Sequence, residues 1–179
     1  GAILIIENYQ HLVGGSGDDP FAFVGGGHLS GSINGGAGVN WLDYSGYGFG
    51  EGITVNLAKA IIPGFRGSLK AVNNITGTPY DDVLTGNSYA NILNGGEGND
   101  LLQGGGGYNT YIFSGDWGVD TVIDSSRRGT LDFGSVELSL IVYLAGATVS
   151  DGSDGMNRVE FSGIAVIHGG SGDDRFYLT

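Results

Sequence analysis

From Gly77 the chain divides into four successive blocks of nine: GTPYDDVLT, GNSYANILN, GGEGNDLLQ and GGGGYNTYI. Each block opens on glycine, at Gly77, Gly86, Gly95 and Gly104. Each has Asp or Asn in sixth place: Asp82, Asn91, Asp100 and Asn109. Each has a large apolar or aromatic residue in eighth place: Leu84, Leu93, Leu102 and Tyr111. Phe113 and Ser114 interrupt the count, and GDWGVDTVI then resumes it with Asp120 sixth and Val122 eighth. Single copies stand apart at GGSGDDPFA from Gly14, GGAGVNWLD from Gly35 and GGSGDDRFY from Gly169.

These constraints fit one geometry. Glycine supplies the positive φ and close backbone approach that a tight turn needs. The residues that follow alternate in and out as a short strand and bury the eighth-place side chain. One nonapeptide is then a turn plus a strand, and two make one coil of a flattened parallel solenoid with turns along both edges. The fold class that follows is all-β, a parallel β-roll or β-solenoid. The rest of the chain reads as β too, with a strand at 53–57, one or two buried strands within 136–149, and a hairpin or loop tip at 150–157. No stretch combines helical periodicity with caps.

The pattern resembles the RTX (repeats-in-toxin) family, whose GGxGxDxUx nonapeptides form calcium-bound parallel β-rolls. The resemblance is strong over 77–124 and isolated at 14–22, 35–43 and 169–177. Successive turns alternate edges, so sixth-place residues 18 apart share an edge: Asp82 with Asp100, and Asn91 with Asn109. Asp120 lies 20 beyond Asp100, the two interrupting residues accounting for the offset. In the family, sixth-place carboxylates and turn carbonyls of neighbouring coils hold Ca²⁺, an ion that takes six to eight hard oxygen ligands in irregular geometry. The resemblance thus implies calcium on the Asp82, Asp100 and Asp120 edge, with the turn glycines Gly77, Gly95 and Gly98 beside it. Asparagine on the other edge implies a weak or empty one. Asp19 and Asp174 hold the same motif place and are further candidates, though no neighbour in phase is visible beside either. Asp18, Asp81 and Asp173 fall in fifth place, as solvated groups or as secondary ligands through their carbonyls.

A competing reading makes every Asp and Asn a turn residue that bonds its own backbone. It suits the asparagines. It suits the aspartates poorly, because like charges stacked about 5 Å apart repel without a counter-ion.

The charge balance points the same way. Nineteen Asp and Glu face seven Lys and Arg, a net charge of −12. That sign disfavours nucleic acid and anionic lipid and favours cations. There is no cysteine, hence no disulfide, zinc-thiolate site or thiol nucleophile. No apolar run approaches the length of a membrane span, so no membrane insertion is expected. The opening residues lack a signal-peptide pattern. This suggests a mature protein, a fragment, or a product exported by a route that needs no N-terminal signal.

Catalytic motifs are not found. GFRGSLK lacks the spacing of a phosphate-binding loop, DFG at 132–134 stands without the other kinase elements, and Asp151 and Asp154 do not fit an EF-hand. Nothing singles out a carboxylate pair for glycoside hydrolysis. His11, His28 and His168 are scattered. Trp41, Tyr44, Tyr47 and Phe49 form an aromatic cluster that reads as core and turn packing, with a carbohydrate or subunit contact as the alternative. The acceptor motif at Asn74, Ile75 and Thr76 is short and commonly spurious.

GGSGDDPFAF at Gly14 recurs 155 residues later as GGSGDDRFYL. The reading is a single module, 1–179, made of one unit of that length and the opening of the next. Its expected partners are neighbouring modules or identical subunits stacked end to end, with surface glycans as a further partner. The resemblance implies an extracellular or cell-surface location by type I secretion, with folding on calcium after export. It also implies a structural, non-enzymatic role as an adhesin, surface or filament module. The alternative is an accessory folding and secretion module of a secreted enzyme.

Overall fold

Strands of mostly three residues follow one another at turn-length intervals, as the glycine spacing demands. The structure, a computed structural model, describes residues 4–5, 11–153 and 156–178. Asp154 in the loop tip and most of the segment before His11 lie outside these. In chain order the first strands are β1 (Leu4–Ile5), β2 (His11–Val13), β3 (Pro20–Ala22), β4 (Ser32–Asn34), β5 (Trp41–Asp43), β6 (Thr54–Asn56) and β7 (Ser68–Lys70). The central ones are β8 (Asn74–Thr76), β9 (Val83–Thr85), β10 (Ile92–Asn94), β11 (Leu101–Gln103), β12 (Thr110–Ile112) and β13 (Val119–Ile123). The last are β14 (Gly129–Asp132), β15 (Ile141–Tyr143), β16 (Thr148–Ser150), β17 (Arg158–Ser162), β18 (Ile164–His168) and β19 (Arg175–Tyr177).

Among the described residues there is no helix, and none therefore that could cross a membrane. One parallel sheet runs β1-β3-β5-β8-β10-β12-β14-β18. The other side is split into β2-β4-β7 and β19-β15-β16-β17-β13-β11-β9-β6. From β8 to β14 consecutive strands alternate between the sheets, which is the expected parallel β-roll. Its registers carry the repeat directly: Ile75 pairs with Leu93 and Leu93 with Tyr111, while Leu84 pairs with Leu102 and Leu102 with Val122. These eighth-place side chains form the fully buried core line.

Two features depart from a plain roll. The N-terminal coils are enlarged, so that Pro20 pairs with Trp41 and Trp41 with Asn74. Their extra chain brings Leu29, Ile62 and Phe65 onto the core through the Leu29–Phe65 and Ile62–Phe65 bridges. Near the other end, β16 runs antiparallel to both β15 and β17, inserting a hairpin between β17 and β19. The aromatic cluster is core packing: Tyr44 stacks on Phe23 at 4.7 Å and meets Tyr47 edge-on at 5.2 Å, leaving Phe49 at the surface. Asn74 is buried and donates its amide to the Asn40 carbonyl, so the acceptor side chain of that motif is taken up inside the roll.

The motifs that looked isolated are built into the stack. Copy 14–22 lies directly under copy 35–43, with the Gly14 N–H donating to the Asn34 carbonyl at 2.8 Å. Phe21 in eighth place is 3% exposed there, whereas Phe176, its counterpart in 169–177, is 50% exposed.

Candidate metal centre

The turns ahead of β9, β11 and β13 stack along one edge and place Asp82, Asp100 and Asp120 in a buried column. Hydrogen bonds between coils hold it. The Ile53 N–H donates to Asp82 Oδ1 at 2.7 Å, the Asp82 N–H to Asp100 Oδ1 at 2.8 Å, and the Asp100 N–H to Asp120 Oδ1 at 2.8 Å. Each carboxylate thus caps the backbone of the coil before it.

The second oxygens differ. Asp82 Oδ2 accepts the Thr78 N–H at 2.6 Å. Asp100 Oδ2 is buried and meets no donor. An orphaned buried carboxylate oxygen is costly, and a cation is its natural complement. Glycine makes room for this arrangement. A Cβ on Gly77 would collide with the Asp82 carboxylate, and one on Gly95 with that of Asp100. Gly98 has φ +110° and backs onto the Tyr80 carbonyl carbon, where a Cβ would come within 2.6 Å.

Burial raises all three carboxyl pKa values, and repulsion within the column adds to it for Asp100 and Asp120. Asp100 is pushed up to about 7 and Asp120 to about 8. Asp82 also lies above the usual range, held back by hydrogen bonds from Ile53 and Thr78. Among the described residues, no three carboxylate or imidazole side chains converge on one point. An ion here must draw on backbone carbonyls as well as on one carboxylate per coil. That is a hard, all-oxygen donor set, and it fits Ca²⁺.

The opposite edge meets the same stacking problem with amide donors. The Asn91 N–H donates to Asn109 Oδ1 at 3.0 Å, repeating the aspartate pattern. An amide can also donate, and Asn91 Nδ2 bonds the Asn73 carbonyl while Asn40 Nδ2 bonds that of Ala71 at 2.8 Å. The row ends on Asp124, whose buried Oδ2 accepts from Asn109 Nδ2 at 3.0 Å and from the Tyr111 hydroxyl at 3.1 Å. Asp124 occupies none of the repeat places singled out in the sequence, so nothing there marked it.

Asp19 and Asp174 do not join the column. Asp19 lies on the asparagine edge, its N–H donating to Asn40 Oδ1 at 3.0 Å and its Oδ2 accepting the Gly15 N–H at 2.8 Å. Its neighbour is 21 residues away, which is why a search at 18 does not find it. Asp174 accepts the Leu140 N–H at 2.9 Å, and its turn stacks on Val136 rather than on the turn of Asp120. The fifth-place Asp18 and Asp81 are exposed and accept the N–H of Val39 and Asn99 on the next coil, at 2.7 and 2.8 Å.

A family model, the RTX calcium-binding nonapeptide repeat in four copies, matches residues 76–111 and 162–178. Over these residues the chain carries RTX calcium-binding repeats. Repeats of this family bind calcium, and the first RTX match covers the turns of Asp82 and Asp100. The second covers the turn of Asp174. No curated protein matches the chain.

Proposed function

We infer that this is an extracellular structural module that calcium stabilises after export, and that Asp82, Asp100 and Asp120 with the turns of Gly77, Gly95 and Gly98 are its calcium edge. The observation that carries the reading is the buried aspartate column with Asp100 Oδ2 left without a donor. Without a cation, buried like charges and the ordering entropy of a chain with 37 glycines both oppose folding. With calcium, binding free energy becomes folding free energy. Calcium titration followed by far-UV circular dichroism, with light scattering on a sizing column, tests this. Compaction with calcium that chelator reverses is expected. An identical profile in both conditions would overturn it.

The same reading gives the module stacked neighbours, whether further modules or identical subunits, in an adhesin, surface protein or filament. Its support is the contrast between Phe21, covered by the coil of 35–43, and Phe176, exposed in the same motif. Beside Phe176, the side chains of Leu144, Phe161, Ile164 and Ile167 line an apolar cleft of about 230 Å³. A Phe176→Asp variant that keeps its calcium response but no longer forms rod-like particles is the expected outcome. Rods formed equally well by the variant would overturn stacking through this end.

A further inference from the structure

Over the coils from 77 to 128 the two edges of the roll carry opposite exposed charge. On the aspartate edge, the turns at 77–82, 95–100 and 114–120 expose Asp81, Glu97 and Asp116 and contain no basic residue. A shallow groove of about 300 Å³ crosses these turns, lined by Ser45, Thr78, Glu97, Ser114 and Asp116 among others. On the asparagine edge, the turns at 86–91, 104–109 and 125–128 expose no carboxylate and carry Arg127 and Arg128, two of the seven basic residues in the chain.

That second edge also bears a ridge. Tyr89 is 68% exposed and Tyr108 67% exposed, on consecutive coils. Among the described residues neither hydroxyl has a hydrogen-bond partner. The Arg128 guanidinium lies 5.0 Å from the centre of the Tyr108 ring, on the coil after it. Direct stacking of the turns aligns the row. A Cβ on Gly107 would meet the Tyr89 carbonyl carbon at 2.5 Å, and Ser125 Oγ donates to the Gly105 carbonyl at 2.8 Å. The four glycines at 104–107 leave bare backbone beside the rings. Exposed tyrosine and arginine are the side chains that most often anchor protein contacts.

We propose that the Tyr89–Tyr108–Arg128 ridge docks in the acidic groove of a second copy, joining rolls side by side. Charge complementarity selects this occupant: in a chain of net charge −12 the ridge lies on three successive turns that expose no carboxylate, and the groove is lined by Glu97 and Asp116. Pitch supports it as well. Ridge and groove both advance by one coil per strand spacing, so two parallel rolls stay in register along their length. The contact is heterologous, with a different patch on each partner, so it propagates into an open array instead of closing as a dimer. Many shallow contacts along stacked coils would then act together.

Sedimentation of the calcium-saturated chain over a range of protein concentrations tests the assignment. Self-association should weaken about tenfold or more between roughly 20 mM and roughly 0.5 M salt, because exposed pairs are screened. Arg127→Asp with Arg128→Glu should abolish it, as should Tyr89→Ser with Tyr108→Ser, the calcium response being kept in each. Aspartate is chosen at residue 127 because Arg127 has φ +59°. A Glu97→Lys, Asp116→Lys chain should restore association when mixed with the arginine-reversed one. End-to-end stacking through apolar coils resists high salt, so the two modes fail separately. Unchanged association of the arginine-reversed chain, or a wild type that stays single at low salt, would overturn the proposal. So would ridge-dependent binding of heparin without self-association, which would assign the ridge to an acidic glycan instead.

Discussion

The backbone N–H of Asp82 donates to Asp100 Oδ1 at 2.8 Å, while the other oxygen of the same carboxylate, also buried, receives nothing. One half of Asp100 is used to hold coils together and the other half is free for a cation. Asn91 shows what an amide does in the same place, since its nitrogen donates to the Asn73 carbonyl. Asp100→Asn removes the buried charge and supplies a donor. Calcium affinity should fall by about tenfold or more, a loss of about 1.4 kcal/mol. The metal-free chain should melt at a higher temperature than wild type near pH 8. Calorimetric titration and melts in chelator measure the two effects. An unchanged binding isotherm would remove Asp100 from the site.

The raised carboxyl pKa values set the pH dependence. Unfolded, these groups titrate near the ordinary value of 3.8, whereas in the fold Asp100 titrates near 7 and Asp120 near 8. Over that interval the folded chain binds more protons than the unfolded one, so metal-free stability falls as pH rises. The fall begins above the unfolded value and is complete above the folded ones. Denaturant unfolding in chelator should show a chain more stable at about pH 5 than at about pH 8.5, by on the order of a few kcal/mol. Calcium should remove most of that difference. Adding calcium near pH 7 to weakly buffered protein should release protons, since metal and proton compete for the same oxygens. A flat metal-free profile across this range would contradict the burial argument.

Glycine substitutions should separate turn geometry from open space. Gly98 combines φ +110° with a Cβ position 2.6 Å from the Tyr80 carbonyl carbon. Gly98→Ala should cost about 1–3 kcal/mol or more, because the strain cannot relax into a flexible neighbour. Gly15 has no positive φ and nothing within 4 Å of a built Cβ, so Gly15→Ala should be close to neutral. Chemical denaturation in saturating calcium compares them. Equal costs would mean that the turn packing described at Gly98 is not what holds the aspartate edge.

Most of the roll and its aspartate column could be read from the repeat. A period of nine fixes turn and strand, and a spacing of 18 fixes which edge each sixth place occupies. The interrupted step to Asp120 still reads correctly, because two residues inserted between a strand and the next turn leave the register intact: Leu101 pairs with Thr121. What escaped was aperiodic. The neighbour of Asp19 was hidden because the chain between 23 and 31 enlarges its coil. The hairpin of β15 and β16 puts Asp174 on the turn of Val136, which no spacing rule anticipates. Edge charge was equally hidden, since Tyr89, Tyr108 and Arg128 sit at different repeat places and meet only when their coils stack.

Asp124 gives the sharpest test of how the asparagine edge is held. Its Oδ2 takes hydrogen bonds from Asn109 Nδ2 and from the Tyr111 hydroxyl, and its Oδ1 takes one from the Ser126 N–H at 2.8 Å. Tyr111 in turn accepts the Gly104 N–H at 2.9 Å, tying the edge to the core line. Beside this carboxylate, burial and the negative charge together push the Tyr111 phenol far above its usual pKa, so it remains a donor. Asp124→Ala strands two buried donors, at about 1–3 kcal/mol each. Because this edge relies on amides and Asp124 rather than on the aspartate column, the loss should be the same in calcium and in chelator at any pH where both states can be measured. Asp100→Ala, by contrast, should weaken the calcium-bound chain far more than the metal-free one. A double-mutant cycle of the two, run with and without calcium, should be additive, given that the edges share no hydrogen bond. Strong coupling between Asp124 and Asp100, or a calcium-dependent cost for Asp124→Ala, would show that the two edges act as one metal-controlled unit.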